Sequence, residues 1–472
     1  MSDGKLRHPA RPAGKSRAPG VRGDTIVAIA TAPGRGAVAI VRLSGPDAER
    51  IGRGMVTPWP RTPRRLVRCA LREPGERGRP LDDALAVFFP QGSSYTGEPT
   101  LELHIHGGMA GPSVIRDACV ASGAREALPG EFTERAVLNG RMDLLEAEAI
   151  GALVDARTRA AHRAALSALS GTLSRLFREL REAAIGLDAM LAYDIDFPEE
   201  DGGPIHRDTI ETAARSLAAK LDSVLAAVPA APIARDGALV VLAGPPNAGK
   251  SSLLNALVGE SRVIVSDQPG TTRDAVEVLV DEEPWPVRLV DTAGLRDEAD
   301  AVERLGIEVS DRYLRAASVV LACADDTAEL AHLTGELKLR TSAEVIGVRT
   351  KGDVGDRLSV QAGDTVLPVT VSAQTGAGLA VLWERIRAAV QRAAGSGVLP
   401  AAAAVTVRQH SALKAARREV ATFLGAWRSQ ELPVVVCATH VRAAAHELDE
   451  LIGSVSPDDV LARVFSSFCV GK

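Results

Sequence analysis

The segment GPPNAGKS, Gly244 to Ser251, fits the pattern Gly-x-x-x-x-Gly-Lys-Ser, whose glycine-rich backbone cradles phosphate groups. An apolar run, Ala238 to Ala243, precedes it, and LLNAL follows with helical character. The loop therefore joins a strand to a helix N-terminus, where free amides and the helix dipole favour anionic oxygens. In that setting Asn247, Ala248, Gly249 and Ser252 surround the phosphates, Lys250 reaches the outer ones and Ser251 is a magnesium ligand.

A phosphate loop alone does not separate ATP from GTP. In GVRTKGD, Asp353 follows the apolar run AEVIGV and stands at the carboxyl end of a predicted strand, where open α/β sheets take ligands. A carboxylate there accepts the ring N–H and the exocyclic amine of guanine, an edge that adenine lacks. Thr350, Lys351 and Gly352 complete the segment, and Thr350 stands where Asn is usual, a change that loosens guanine affinity without removing the selection by Asp353. Ser372, Ala373 and Gln374, after the run LPVTV, are placed to back the base. Between these motifs, Ser266, Asp267, Gln268, Pro269, Gly270, Thr271 and Thr272 form a glycine-containing switch, with Thr272 completing the magnesium shell. In LVDTAG, Asp291 holds the water shell of the metal, and Thr292, Ala293 and Gly294 carry an amide to the γ-phosphate. The order of these pieces, more than any one of them, implies GTP binding and hydrolysis.

Leu295 follows Asp-Thr-Ala-Gly, where a Ras-type enzyme has its water-orienting glutamine. An aliphatic side chain cannot orient water, so a polar group must come from elsewhere in the switch or from a second molecule. The stretch RDEADAVERLG offers Asp297, Glu298, Asp300 and Glu303.

These motifs need a scaffold, and 472 residues are enough for two to four domains. The composition, 46% hydrophobic, 24% charged and 3% aromatic, is that of a globular chain whose cores are aliphatic. A net charge of −5 argues against coating nucleic acid by bulk electrostatics, while a local basic surface remains open. Five cysteines without a CxxC pair suggest neither zinc nor a disulfide framework and fit a reducing, cytoplasmic setting. No apolar run reads as a membrane span. Residues 1–23, basic and rich in Pro and Gly, read as a disordered tail, with a targeting segment or an RNA-touching arm as alternatives.

Residues 24–138 alternate in short strand-like runs and imply an α+β domain. The stretch GRGAVA loosely fits a dinucleotide fingerprint, but Val38, Ile40 and Val41 continue it as a strand, which excludes that assignment. Residues 139–236 turn helical, with Leu166, Leu169, Leu173, Leu176 and Leu180 forming one packing stripe. Two stretches, AAVPAAPIARDG and AAGSGVLPAAAAV, read as flexible and bracket residues 237–393, and helical spacing returns over 394–472. The expected fold is a multidomain α/β and α protein: an N-terminal α+β domain, a discontinuous helical domain, and a Ras-like P-loop domain inserted in it.

The segments DTIVAIATAPGRGAVAIVRLSG, SYTGEPTLELHIHGG, PGEFTERAVLNGRMDLLEAEAI and DIDFPEED, the nucleotide motifs and the terminal FCVGK together resemble the bacterial MnmE/TrmE proteins, GTPases of tRNA wobble-uridine modification. The resemblance implies that the N-terminal domain binds a formyl- or methylene-tetrahydrofolate and forms a homodimer. Arg42, Glu102, Arg141 and Lys472 fall on the family's folate contacts, Arg141 standing where relatives often have Lys. It also implies potassium-dependent hydrolysis, with Asn247, Ser266, Gln268 and Thr271 as potassium ligands and Glu303 positioning the attacking water. The implied partners are tRNA and a separate FAD-binding protein of the MnmG/GidA type, in a heterotetramer or larger, in the cytoplasm and away from membranes. Cys469 is either a small buried residue or a participant near the folate. His104 and His106 lack a third ligand and do not suggest a metal site. Two rivals share the nucleotide motifs: a regulatory GTPase that binds structured RNA, such as a ribosome-assembly factor, and a scaffold that binds GTP without hydrolysis.

Overall fold

The computed structural model of the protein describes residues 23–75, 78–196, 205–259, 263–264, 276–291, 312–354, 367–395, 404–452, 464–465, 468 and 471. Two compact units divide the chain, residues 1–142 with 456–472, and residues 143–455.

In the first unit the alternating runs form strands β1 (Ile26–Ile29), β2 (Val38–Ser44), β3 (Val56–Thr57), β4 (Val67–Arg72), β5 (Pro80–Phe89), β6 (Thr100–His106) and β7 (Arg125–Glu126). They lie in the order β3-β4-β5-β6-β2-β1-β7, antiparallel except for β1 with β7. The period of two is visible in β2, where Ala39, Val41 and Leu43 are buried and Ile40 and Arg42 only partly so. The first set joins Leu101, Leu103 and Ile115 in the main core, while Ile26, Ala28 and Phe132 form a small cluster of their own, with Tyr95 against it. Val38–Ser44 is a strand, so no helix follows GRG and the dinucleotide pattern has no place here.

A charged network fixes the start of β1. The Arg135 guanidinium is 2.7 Å from Asp24, 3.1 Å from Glu98 and 2.9 Å from Glu131, and Arg125 is 2.8 Å from Asp24 and 2.5 Å from Glu131. Burial pushes the Asp24 and Glu131 carboxyls up, but hydrogen bonds and charge from Arg125 and Arg135 outweigh it and hold both below their ordinary values. Residues 456–472 group with this unit, whereas the sequence assigns them to the second helical part. The contacts give the reason: a Cβ on Gly130 would lie 2.7 Å from the Phe465 carbonyl oxygen, and one on Gly471 would lie 2.6 Å from that of Ile29.

In the second unit, helices Leu144–Asp155, Arg159–Leu169, Thr172–Asp196 and Arg207–Ala227 precede the nucleotide motifs, and Val407–Ser429 and Val434–Ile452 follow them. Leu180 and Leu217 from the first group share one core with Leu413, Phe423 and Leu448 from the second. Across that core Arg408 grips the buried Glu148 at 2.8 and 3.0 Å, and Gln409 donates to the same carboxylate. The leucine stripe is not one helix face. The chain turns at Gly171, φ +78°, and Leu166 is 44% exposed, while Leu173 and Leu180 are buried beyond the break. AAVPAAPIARDG is also not a loop: Ala230–Asp236 is a helix whose Ala230, Ile233 and Ala234 enter the core under the nucleotide motifs. Small side chains that read as a linker are what a close helix-to-sheet approach requires. By length and composition the stretch Arg207–Asp236 is apolar enough to cross a membrane, although no uninterrupted apolar run marks it, but 56% of its most apolar part is buried, as in a core helix.

The inserted segment forms β8 (Ala238–Ala243), β9 (Val263–Ile264), β10 (Val276–Val280), β11 (Val287–Asp291), β12 (Val319–Ala324), β13 (Glu344–Arg349) and β14 (Val369–Thr370). The order is β14-β13-β12-β8-β11-β10-β9, parallel from β14 to β11. β8 and β12 are buried along their whole length, as central parallel strands are.

Arg135→Ala is expected to destabilise the first unit by about 3–5 kcal/mol, since it leaves Glu98 without a guanidinium and takes one of two from Asp24 and from Glu131, measured by chemical denaturation at pH 7. Because Asp24 and Glu131 titrate below their unfolded range, their contribution is complete above about pH 5 and is lost as pH falls through the depressed values, below about pH 4. The unfolding midpoint of the wild type should drop over that window, and that of Arg135→Ala should drop less.

Candidate nucleotide site

β8 ends between two parallel neighbours, so the loop after it emerges beside the ends of β11 and β12. Its first residue must slip past the neighbouring backbone: a Cβ on Gly244 would lie 2.1 Å from the Cys323 carbonyl oxygen. Asn247 and Gly249 take left-handed φ values of +64° and +79°, which turn the loop into the helix Lys250–Gly259. Lys250 is buried, and its ammonium donates to the Gly244 and Pro245 carbonyls at 3.0 and 2.7 Å, which holds it over the loop mouth.

Ser251, at the start of that helix, donates to Asp291 at the end of β11, with 2.5 Å between the oxygens. A hydroxyl and a carboxylate at this spacing are hard oxygen donors beside a phosphate loop, the donor set that suits magnesium with its waters. Ser252 and Asn247 are exposed, and Ala248 is buried. Ser266, Asp267, Gln268, Pro269, Gly270, Thr271, Thr272, Thr292, Ala293, Gly294 and Glu303 lie outside the described residues, as do Cys469 and Lys472.

The base-reading loop begins where β13 ends. Thr350 is buried, donates its backbone amide to the Ala324 carbonyl at 2.9 Å, and donates its hydroxyl to the Ala248 carbonyl at 2.7 Å. Lys351, at φ +55°, turns its ammonium to Asp325 at 2.7 Å. Gly352 passes so close to the next strand that a Cβ would meet Thr370 Cγ2 at 2.8 Å. Asp353 is then exposed, with the Ser372 hydroxyl hydrogen-bonded to its carboxylate and holding its pKa below the ordinary value. Ser372 is buried, and its oxygen accepts the Thr375 amide at 3.2 Å, which fixes the loop carrying Ala373 and Gln374. Thus Ser251 meets Asp291, Ala248 meets Thr350, and Asp353 meets Ser372. The sequence did not single out Asp325, whose signal was its position directly after an apolar strand.

In the first unit, Arg42 and Glu102 are register partners on β2 and β6 and pair at 2.9 Å. The guanidinium lies 5.8 and 5.7 Å from the ring centroids of Tyr95 and Phe132, neither of them singled out from sequence. Arg141 runs its stem along Gly97, in the loop that carries Tyr95. His104 Nε2 is buried 3.5 Å from Glu102 and has no hydrogen-bond partner among the described residues. His106 pairs with Asp82 at 2.6 Å, which raises its pKa. An aromatic-walled ion pair with an unsatisfied buried nitrogen suits a flat, polar heterocycle. A cavity of about 630 Å³ also lies in this unit, lined by Ile29, Arg35, Met109, Arg116 and Glu126 among others, and contains none of Arg42, Glu102 and Arg141.

A family model described as GTP-binding protein TrmE N-terminus matches residues 25–141, and one described as MnmE helical domain matches residues 144–469. The tRNA modification GTPase MnmE of Methylobacterium sp. (strain 4-46) is 40% identical over 457 residues, covering 95% of this chain and 100% of its own. That of Sodalis glossinidius (strain morsitans) is 38% identical over 463 residues, covering 95% and 99%, and that of Acidiphilium cryptum (strain JF-5) is 40% identical over 452 residues, covering 95% and 99%. Among solved structures, the G domain of the T. maritima FeoB iron transporter aligns with 33% of this chain and 99% of its own at 26% identity, with a TM-score of 0.25, too low to bear on the fold.

Gly244→Ala drives a methyl into the Cys323 carbonyl. It is expected to destabilise the second unit by about 2–3 kcal/mol and to abolish nucleotide binding, checked by thermal melting and by equilibrium binding of GDP.

Proposed function

The chain belongs to the MnmE/TrmE family and is a GTP hydrolase acting in tRNA modification, and from that premise we propose that it is a potassium-activated GTPase. With an FAD-dependent partner of the MnmG/GidA type, it installs a carboxymethylaminomethyl or aminomethyl group at carbon 5 of the tRNA wobble uridine. A tetrahydrofolate held in the N-terminal domain supplies the one-carbon unit.

The nucleotide site supports this proposal, because groups suited to phosphate, metal and base stand at one edge of one sheet. Lys250 and the loop amides would hold the phosphates, Ser251 with Thr272 would hold magnesium while Asp291 holds its water shell, and Asp353 with Ser372, Ala373 and Gln374 reads guanine. Magnesium held there would supply positive charge against the negative charge that builds up on the phosphates. Leu295 leaves the attacking water without a partner from its own position, and we assign that role to Glu303, whose carboxylate accepts a hydrogen bond from the water and aims it. Asn247, with Ser266, Gln268 and Thr271, supplies neutral oxygens for potassium, and its exposed, left-handed position at the loop mouth is compatible with that role.

In the N-terminal domain, Glu102 paired to Arg42 accepts donors from a pterin ring, Tyr95 and Phe132 wall it, and Arg141 with Lys472 meets its acidic end. Cys469 is placed near this site by the terminal motif alone. We further assign a homodimer built through this domain, in the cytoplasm. The flavin chemistry belongs to the partner, since GRGAVA leads into a strand.

GTP turnover is expected to be at least tenfold faster in potassium than in sodium at equal ionic strength, and equal rates would remove the potassium mechanism. Glu303→Ala should lose about 100-fold or more in turnover while GTP affinity stays within about twofold, and retained turnover would remove its assigned role. Mass analysis of tRNA from a deletion strain tests the modification, with unchanged wobble uridines as the refuting outcome.

A further inference from the structure

Guanine presents two edges to a protein. The ring N–H and amine suit a carboxylate, while O6 and N7 are acceptors that need donors. The Asn usually found at position 350 would bring an amide with two donors and an acceptor; Thr350 brings one hydroxyl proton. That proton is committed. Thr350 is 4% exposed, and its hydroxyl donates to the Ala248 carbonyl at 2.7 Å. The carbonyl is itself buried, between residues with φ of +64° and +79°, so its direction depends on what it is bonded to. The neighbouring Lys351 ammonium is held at 2.7 Å from Asp325. Donors that remain for the acceptor edge include the backbone amides of Ala373 and Gln374, which have no acceptor among the described residues. They follow directly on Ser372, the partner of Asp353, which keeps them in the same short loop as the carboxylate that takes the ring N–H, next to O6.

We infer that Thr350 is a positioning residue that ties the base loop to the phosphate loop through Ala248, and that the chain reads guanine without contacting N7. The inference rests on Asp353 as the base reader. Thr350 fixes the carbonyl that shapes the phosphate loop, so its loss weakens every nucleotide alike, whatever the base edge.

Equilibrium binding of GDP and 7-deaza-GDP to the full chain tests this with wild type, Thr350→Ser, Thr350→Val and Thr350→Asn. Wild type is expected to bind the two within about twofold of each other. Thr350→Val should lose roughly tenfold for both, because a buried carbonyl is left unpaired, and Thr350→Ser should restore binding. Thr350→Asn should gain a several-fold preference for GDP. A tenfold preference for GDP in wild type, or wild-type affinity in Thr350→Val, overturns the inference. Should Thr350→Val fail to fold in a thermal melt, Thr350→Asn decides alone, and the absence of any gained preference overturns the inference. Asp353→Asn is tested separately for a switch from GDP to xanthosine diphosphate; no switch removes the base reading itself and leaves the Thr350 tether to be judged on the Val and Ser variants.

Discussion

Parallel register is the constraint on which the nucleotide site depends. Asp291 pairs with Leu242, Ala322 with Ala243, and Ala324 with Arg349, so β11 and β8 end within a residue of each other while β12 and β13 run two residues further toward the same edge of the sheet. The loop after β8, Asp291, Asp325 and the Thr350–Asp353 loop all leave the sheet along that edge. A one-residue slip of any strand would turn its inward chain to the opposite face and carry its loop out of reach. The packing on both faces of β8 and β12 opposes such a slip, since Val240 and Val241, or Val320 and Leu321, would have to exchange places between two differently shaped cores.

Much of this site was legible because its signals are local. The phosphate loop, the Asp353 segment and the strand before each are contiguous in sequence, and their backbone needs, a glycine at 244 and left-handed turns at 247 and 249, are met in the same few residues. What escaped notice depends on partners far along the chain. Asp325 acquires meaning only when β12 and β13 lie side by side and bring Lys351 to it. Tyr95 and Phe132 wall Arg42 only through tertiary packing.

The two misjudged segments follow the same logic. A run of Ala and Pro carries no apolar stripe, so Ala230–Asp236 resembled a linker, yet its small side chains let it pack under β8 while the Thr158 hydroxyl caps toward the Ala234 carbonyl at 2.7 Å. The leucine stripe kept helical spacing across Ser170 and Gly171 even though the backbone did not, because periodicity registers side chains and is blind to a single left-handed glycine. Around that break the helix Arg159–Leu169 docks on the inserted segment, with Arg159 at 2.6 Å from Asp281 and Arg163 at 3.1 Å from Glu283.

The core shared by helices on both sides of the insertion also sets an order of events during synthesis. Helices Thr172–Asp196 and Arg207–Ala227 leave the ribosome with Leu180, Leu187 and Leu217 uncovered, and the helices that cover them begin only at Val407. At ordinary translation rates that gap lasts roughly 10–40 s, ample time for the inserted segment to reach its own fold first. The bundle is thus closed last, around a finished nucleotide site, and its half-built apolar face is the stage at which the nascent chain is most exposed to aggregation.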